Sequence, residues 1–220
     1  MERVIAGVQK FLNDIAPEQL DEFRALALGQ KPEVLLITCS DSRIVPGLIL
    51  QSVPGLVFVV RNAGNIVPPA GAAISGEAAT IEYAIRALNI KNIIVCGHTN
   101  CGAMLGLLNR SSVKELPLVD EWLHYAQPSL DAVCAKHKDQ HAGDNVEIEE
   151  LVCQNVLTQL ANLKTHSFIS DAISAGELGL HGWVFQIETA RLLRYDASSD
   201  KFVPLDASAP LSAGAIASQI

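Results

Sequence analysis

Aromatic residues are scarce in this sequence, at 5% of 220 positions, and it contains no run of consecutive Lys or Arg. The first absence leaves Ala, Val, Ile and Leu to fill the core. The second, with a formal net charge of −8, excludes nucleic acid or an anionic membrane surface as the main partner. No apolar stretch reaches the roughly 18 residues of a membrane-spanning helix. The opening segment, MERVIAGVQKFLNDIAPEQL, is interrupted by Arg3, Lys10 and Asp14, so it lacks the unbroken apolar core of a secretion signal. Five cysteines stand at 39, 96, 101, 134 and 153. An odd number without such a signal reads as thiols or metal ligands, not as a disulfide framework, and a cytoplasmic protein is expected. Nucleotide motifs are missing too: no G-x-G-x-x-G occurs, and the run from Gly71 to Gly76 is not followed by the Lys-Ser/Thr that would meet a phosphate.

What remains is a globular composition, 49% hydrophobic and 18% charged, of a length that suits one domain over 1–220. Residues Val4, Ile5, Val8, Phe11 and Leu12 recur at helical spacing and predict an amphipathic helix. A second helix is expected to open at Pro17, a residue suited to the first helical position, so that about 1–30 forms a helical arm. Three runs, VLLIT (34–38), LVFVV (56–60) and NIIVC (92–96), are apolar throughout, the pattern of parallel strands covered on both faces. The segment 75–88 between the last two reads as a crossover helix. The fold expected is α/β, a mostly parallel central sheet flanked by helices. Asp144 and Glu147 read as a capping box that opens a helix through about Leu163. Segments 179–188 and 191–196 read as a late strand pair, and Ala207–Ile220 has no clear periodicity.

Chemistry concentrates at two strand ends. CSDSR (39–43) follows the first strand and HTNCG (98–102) follows the third. Open α/β sheets bind ligands outside the carboxyl ends of their strands, so both loops fall where a site is expected. A lone Cys at a strand end is most often a packing residue. Two independent loops that bring Cys39, His98 and Cys101 together are a different matter. Thiolate and imidazole are zinc ligands, and three of them leave a fourth tetrahedral position open, the pattern of a catalytic site. Asp41 offers a carboxylate for that position, and Arg43 offers a planar fork that binds both carboxylate oxygens. Together they read as a catalytic switch: Asp41 either closes the metal site as a fourth ligand or pairs with Arg43 and leaves it open.

These residues resemble the two zinc motifs of the β-class carbonic anhydrases, and so does the spacing of 59 positions from Cys39 to His98. The resemblance extends through FVVRNAGNIVPP (58–69), EYAI (82–85) and LHGWVF (180–185), most of the chain. It is strongest to the bacterial cyanate-pathway and carboxysomal branch and to plant enzymes. It implies zinc-hydroxide-mediated, reversible hydration of CO2 to bicarbonate and a proton. It implies a homo-oligomer, at least a dimer, whose N-terminal helices extend onto a partner subunit. It also implies a substrate pocket made by Gln30, Phe58 and Tyr83 across a subunit interface, with Gly102 beside them and Asn100 serving loop geometry. Some relatives carry a bicarbonate inhibitor pocket of Trp, Arg and Tyr. Here Arg61 matches the Arg, but Leu36 and Phe185 stand at the other two positions, so the open subgroup is expected and Arg61 reads as an interface or loop anchor. Two other readings keep the zinc residues: a same-fold hydrolase of a CO2-like molecule such as carbon disulfide, and a zinc assembly protein without turnover. The Asp41–Arg43 pair disfavours the second, since a structural site more simply takes a fourth Cys or His.

Overall fold

The computed structural model describes residues 1–137 and 147–205. In chain order the elements are α1 (Glu2–Lys10), α2 (Leu20–Leu26), β1 (Val34–Cys39), α3 (Pro46–Ile49), β2 (Val57–Asn62) and α4 (Gly76–Arg86). There follow β3 (Asn92–His98), α5 (Gly102–Leu108), α6 (Pro117–Leu123), α7 (Gln127–Lys136), α8 (Ile148–Lys164) and α9 (Ser167–Ser174). Strands β4 (Gly179–Gln186), β5 (Arg191–Asp196) and β6 (Lys201–Pro204) complete the order.

The six strands form one mixed sheet in the order β2-β1-β3-β4-β5-β6. Its first four strands are parallel, β5 runs antiparallel to β4, and β6 runs antiparallel to β5. Strands β1 and β3 are buried along almost their whole length, as uninterrupted apolar runs require. The expectation of two covered faces fails for β2. It is the edge strand, and Val59 and Arg61 on one of its faces reach solvent. The second helix also starts later than expected, at Leu20, with Pro17 left in the turn before it. Helix α8 begins at Ile148 with Glu147 as its cap residue, and the expected cap Asp144 lies outside the described residues, as does the tail from 206. Strand β6 was not anticipated: four residues, Lys201–Pro204, are too few to show a period.

Helix α8 covers one face of the sheet. Leu151, Val152, Val156, Leu160 and Leu163 are buried along it, each worth about 1.5–3 kcal/mol of transfer free energy before entropy is charged against it. It comes close because Gly97 and Gly182 lie beneath it. A Cβ at Gly97 would stand 2.9 Å from Val156 Cγ2, and one at Gly182 would stand 3.0 Å from Val156 Cγ1. Gly97→Ala should therefore overpack the seam and cost about 1–3 kcal/mol of stability, measurable by urea unfolding. An unchanged midpoint would mean that α8 can lift off the sheet freely. A smaller cluster of Leu36, Ile94 and Cys96 occupies the opposite face. Helix α1 contributes no buried residue, and Val4, Val8 and Leu12 are each more than half exposed. No helix among the described residues is long and apolar enough to cross a membrane.

Candidate metal centre

Strands β1 and β3 are hydrogen-bonded neighbours with Thr38 level with Cys96, so Cys39 and His98, the last residues of their strands, emerge at the same sheet edge. Three residues later Cys101 precedes α5 with extended backbone. All three side chains are buried, and their donor atoms lie within 4.8 Å of one another. The two sulfurs are 4.0 Å apart. Two zinc–sulfur bonds of about 2.3 Å at a tetrahedral angle span about 3.8 Å, so the spacing fits that metal.

The imidazole is set for the same task. Its Nδ1 lies 2.9 Å from the Thr99 carbonyl. A carbonyl can only accept, so Nδ1 carries the proton and Nε2 keeps its lone pair. Nε2 is buried and has no hydrogen-bond partner among the described residues. A buried, unpartnered nitrogen facing two sulfurs is costly unless it ligates something. The sulfurs are prepared as well. Hydrogen bonding with Cys101 holds the Cys39 thiol well below the ordinary range, helped by the Gly64 N–H, while the same contact and burial push Cys101 up. The pair thus gives up one proton readily, and a dication is what displaces the second. By contrast, burial pushes Cys96 up to about 12 and Cys153 up to about 11, leaving both as inert thiols.

Beside the cluster, Asp41 is turned away by Arg43. Arg43 Nε donates to Asp41 Oδ1 at 2.9 Å and its terminal nitrogen to Oδ2 at 2.7 Å, a bidentate fork, while the Arg43 backbone N–H adds a third bond to Oδ1. These bonds, the side-chain ones first, hold the Asp41 carboxyl well below the usual carboxylate range. Its Oδ2 stays 3.9 Å from His98 Nε2. Arg43 also donates to the Asn100 carbonyl at 3.0 Å, so one guanidinium joins both loops. Arg61 is a loop anchor: it donates to the carbonyls of Cys39 (3.0 Å) and Asp41 (2.8 Å).

Other expected residues fall elsewhere. Phe58 and Tyr83 do meet, with ring centroids 6.2 Å apart. But Phe58 is level with Leu35, four positions before Cys39 and thus about 13 Å down the strand. Gln30 is exposed in the loop between α2 and β1, beside a shallow hollow of about 410 Å³ that Leu26 and Gly55 help to line. Gly102 opens α5, and a Cβ there would meet nothing within 4 Å. His181 bonds Asn92 within the sheet (3.0 Å).

Sequence reasoning passed over three amides of α8. Asn155 donates to the Gly64 carbonyl (3.0 Å), Gln159 accepts from Val67 N–H (2.9 Å), and Asn162 donates to the Val67 carbonyl (2.9 Å). They fix the loop whose Gly64 N–H reaches Cys39 Sγ at 3.4 Å. Gly64 sits at φ +82°, and a Cβ would stand 2.9 Å from that of Ala103, so only glycine fits. The available signal was their spacing, which puts three polar side chains on the apolar stripe of α8. Glu188, which bonds Thr99 and Asn100, gave no signal at all.

A catalytic-type Cys-His-Cys zinc site at the carboxyl edge of a mostly parallel α/β sheet defines a metal-dependent enzyme. Comparison with known proteins narrows this. A carbonic anhydrase family model matches residues 34–192. A carbonic anhydrase of Synechocystis is 47% identical over 204 residues, covering 92% of this chain and 74% of the relative. One from Pseudomonas aeruginosa is 43% identical, covering 93% and 92%. Among solved structures, the β-carbonic anhydrase CcaA superposes with a TM-score of 0.87 at 47% identity, covering 93% of this chain and 98% of that one. The chain belongs to the β-class carbonic anhydrases, zinc enzymes that interconvert CO2 and bicarbonate.

Proposed function

We propose that Cys39, His98 and Cys101 hold one zinc ion per chain, that Asp41 governs its fourth position, and that Arg43 keeps Asp41 away from it during CO2 hydration. The observation that carries this reading is the unpartnered Nε2 of His98 facing two sulfurs while Asp41 is tied to Arg43. Zinc bound there supplies Lewis acidity, which can lower the pKa of water from 15.7 to about 7. The protein's own groups do the rest. Asp41, ionised and able only to accept, would accept a hydrogen bond from an oxygen nucleophile at the fourth position and so fix its orientation toward the carbon of CO2. The Thr99 carbonyl holds the imidazole, and Arg61 holds the carbonyls of Cys39 and Asp41, the residues on either side of Ser40. Carbon disulfide is the informative competitor: zinc-loaded protein should hydrate CO2 in a stopped-flow assay and leave carbon disulfide intact. The reverse preference would replace this reading with the hydrolase.

The same proposal makes the enzyme a homo-oligomer, at least a dimer, of single-domain chains whose N-terminal arm, about 1–30, covers a partner. The unburied apolar stripe of α1 supports it. Solved tetrameric β-carbonic anhydrases from Sordaria macrospora are 32% identical to this chain, with a TM-score of 0.74 and coverage of 88% and 95%. Five free thiols fit a cytoplasmic setting. Gln30, Phe58 and Tyr83 then serve the partner's metal, since Phe58 lies far down the strand from its own. A neutral amide at Gln30 can donate to a substrate oxygen in a dry pocket. Gln30→Ala should lower catalytic efficiency about 5- to 150-fold, the equivalent of roughly 1–3 kcal/mol, with zinc content intact. Mixed dimers of Gln30→Ala chains and zinc-ligand variants should recover activity. No recovery in verified mixed dimers would show that Gln30 serves its own chain or structure alone.

A further inference from the structure

The two residues between His98 and Cys101 carry both the imidazole and the guanidinium. The Thr99 carbonyl accepts from His98 Nδ1, and the Asn100 carbonyl accepts from Arg43. Whatever fixes this dipeptide therefore fixes the metal ligand and the gate together. Its side chains converge on one group, Glu188, in the turn after β4. Thr99 Oγ1 donates to Glu188 Oε2 at 2.7 Å, and Asn100 Nδ2 donates to Oε1. The same Thr99 hydroxyl accepts the Ile187 N–H at 3.0 Å, and Thr99 N–H donates to the Phe185 carbonyl at 3.0 Å. Asn100 adopts the left-handed backbone, φ +53°, that turns the chain toward Cys101.

We infer that Glu188 is a positioning residue for the metal centre: its carboxylate clamps Thr99 and Asn100 so that His98 and Arg43 keep their places. The inference rests on Cys39, His98 and Cys101 being the zinc site. Hydrogen bonding from Thr99, chiefly, holds the Glu188 carboxyl below its usual range. It is ionised from mildly acid pH upward, so its contribution does not vary through the neutral range.

Zinc release to a chelator tests this without relying on turnover. Glu188→Ala should lose zinc about 10- to 100-fold faster than wild type, the range usual for an outer-shell partner, and lower kcat by a similar factor with KM unchanged. Glu188→Gln retains an oxygen for the Thr99 hydroxyl and an amide for a turned Asn100 side chain, so it should recover to within about threefold. Thr99→Val cuts the same link from the other side, and its loss should not add to that of Glu188→Ala. Wild-type zinc release in folded Glu188→Ala, or additive losses in the double variant, overturns the inference. Should Glu188→Ala fail to fold, Thr99→Val decides: accelerated release supports the clamp and an unchanged rate removes it. A wild-type protein that holds no zinc overturns the site assignment as well, whereas full zinc with an indifferent Glu188→Ala overturns the clamp alone.

Discussion

Cys39→Ser, His98→Ala and Cys101→Ser should each purify nearly free of zinc and hydrate CO2 no faster than the uncatalysed reaction. Among the described residues the site has three donors, and each would supply a bond that the other two cannot replace. A serine hydroxyl stays protonated at neutral pH, so it offers zinc a far poorer ligand than a thiolate. With the metal goes the lowering of water's pKa from 15.7 to about 7, worth roughly 12 kcal/mol at 1.36 kcal/mol per unit. The three variants should differ in stability. His98→Ala also strips the Thr99 carbonyl of its donor and empties a fully buried position, so it should unfold at lower urea than the two serine variants. Metal analysis, turnover and urea midpoints on the same preparations separate these effects. Full zinc and normal turnover in any one variant would remove that residue from the ligand set.

Arg43→Ala should keep its zinc and lose roughly 100-fold or more in kcat, the scale of removing one preorganised polar group from an active site. The substitution deletes both side-chain bonds to Asp41 and the bond to the Asn100 carbonyl, leaving only the Arg43 backbone N–H on Oδ1. Asp41 Oδ2, now 3.9 Å from His98 Nε2, is then free to swing onto the metal and close it. Arg43→Lys should rescue little, because an ammonium is a point charge and cannot span both oxygens. Asp41→Asn should also keep zinc and lose activity, since the amide has no negative charge, keeps only one acceptor oxygen and presents N–H donors where the carboxylate only accepts. The sign of the pH effect follows from the pair. A carboxyl whose pKa is lowered in the folded state adds stability above its ordinary value, about 3.9, and loses it as pH falls toward the lowered one. Asp41 therefore stays charged and paired throughout the neutral range, and a loss of activity near neutrality comes from another group. Wild-type turnover of Arg43→Ala across neutral pH would end the switch idea.

The metal centre was legible in the sequence because ligands impose local rules. CSDSR and HTNCG each follow an apolar run, and parallel strands end at one edge, so the meeting of Cys39 with His98 could be foreseen without coordinates. Strands β1 and β3 were equally plain, being buried on both faces. The same rule misread β2, since an apolar run does not say whether its strand lies inside or at the edge of a sheet. Pro17 fits a helix start and a turn about equally well, and in the structure it stands in the turn before Leu20. The parts that could not be read are long-range. Asn155, Gln159 and Asn162 look like ordinary helix residues until the loop at Gly64 and Val67 is laid against them. Glu188 touches residues 88 and 89 positions away through a turn that carries no motif. Arg61 was visible as a candidate anchor, but its partners, the carbonyls of Cys39 and Asp41, were not.

Hydration of CO2 should run through zinc held by Cys39, His98 and Cys101. Its most direct test is stopped-flow CO2 hydration on one preparation, stripped of metal in steps by a chelator and then reloaded. The rate should be proportional to bound zinc, falling to the uncatalysed value when the protein is empty and returning as about one zinc per chain is restored. Zinc-replete, folded protein that hydrates CO2 no faster than buffer, or stripped protein that keeps its full rate, would contradict it.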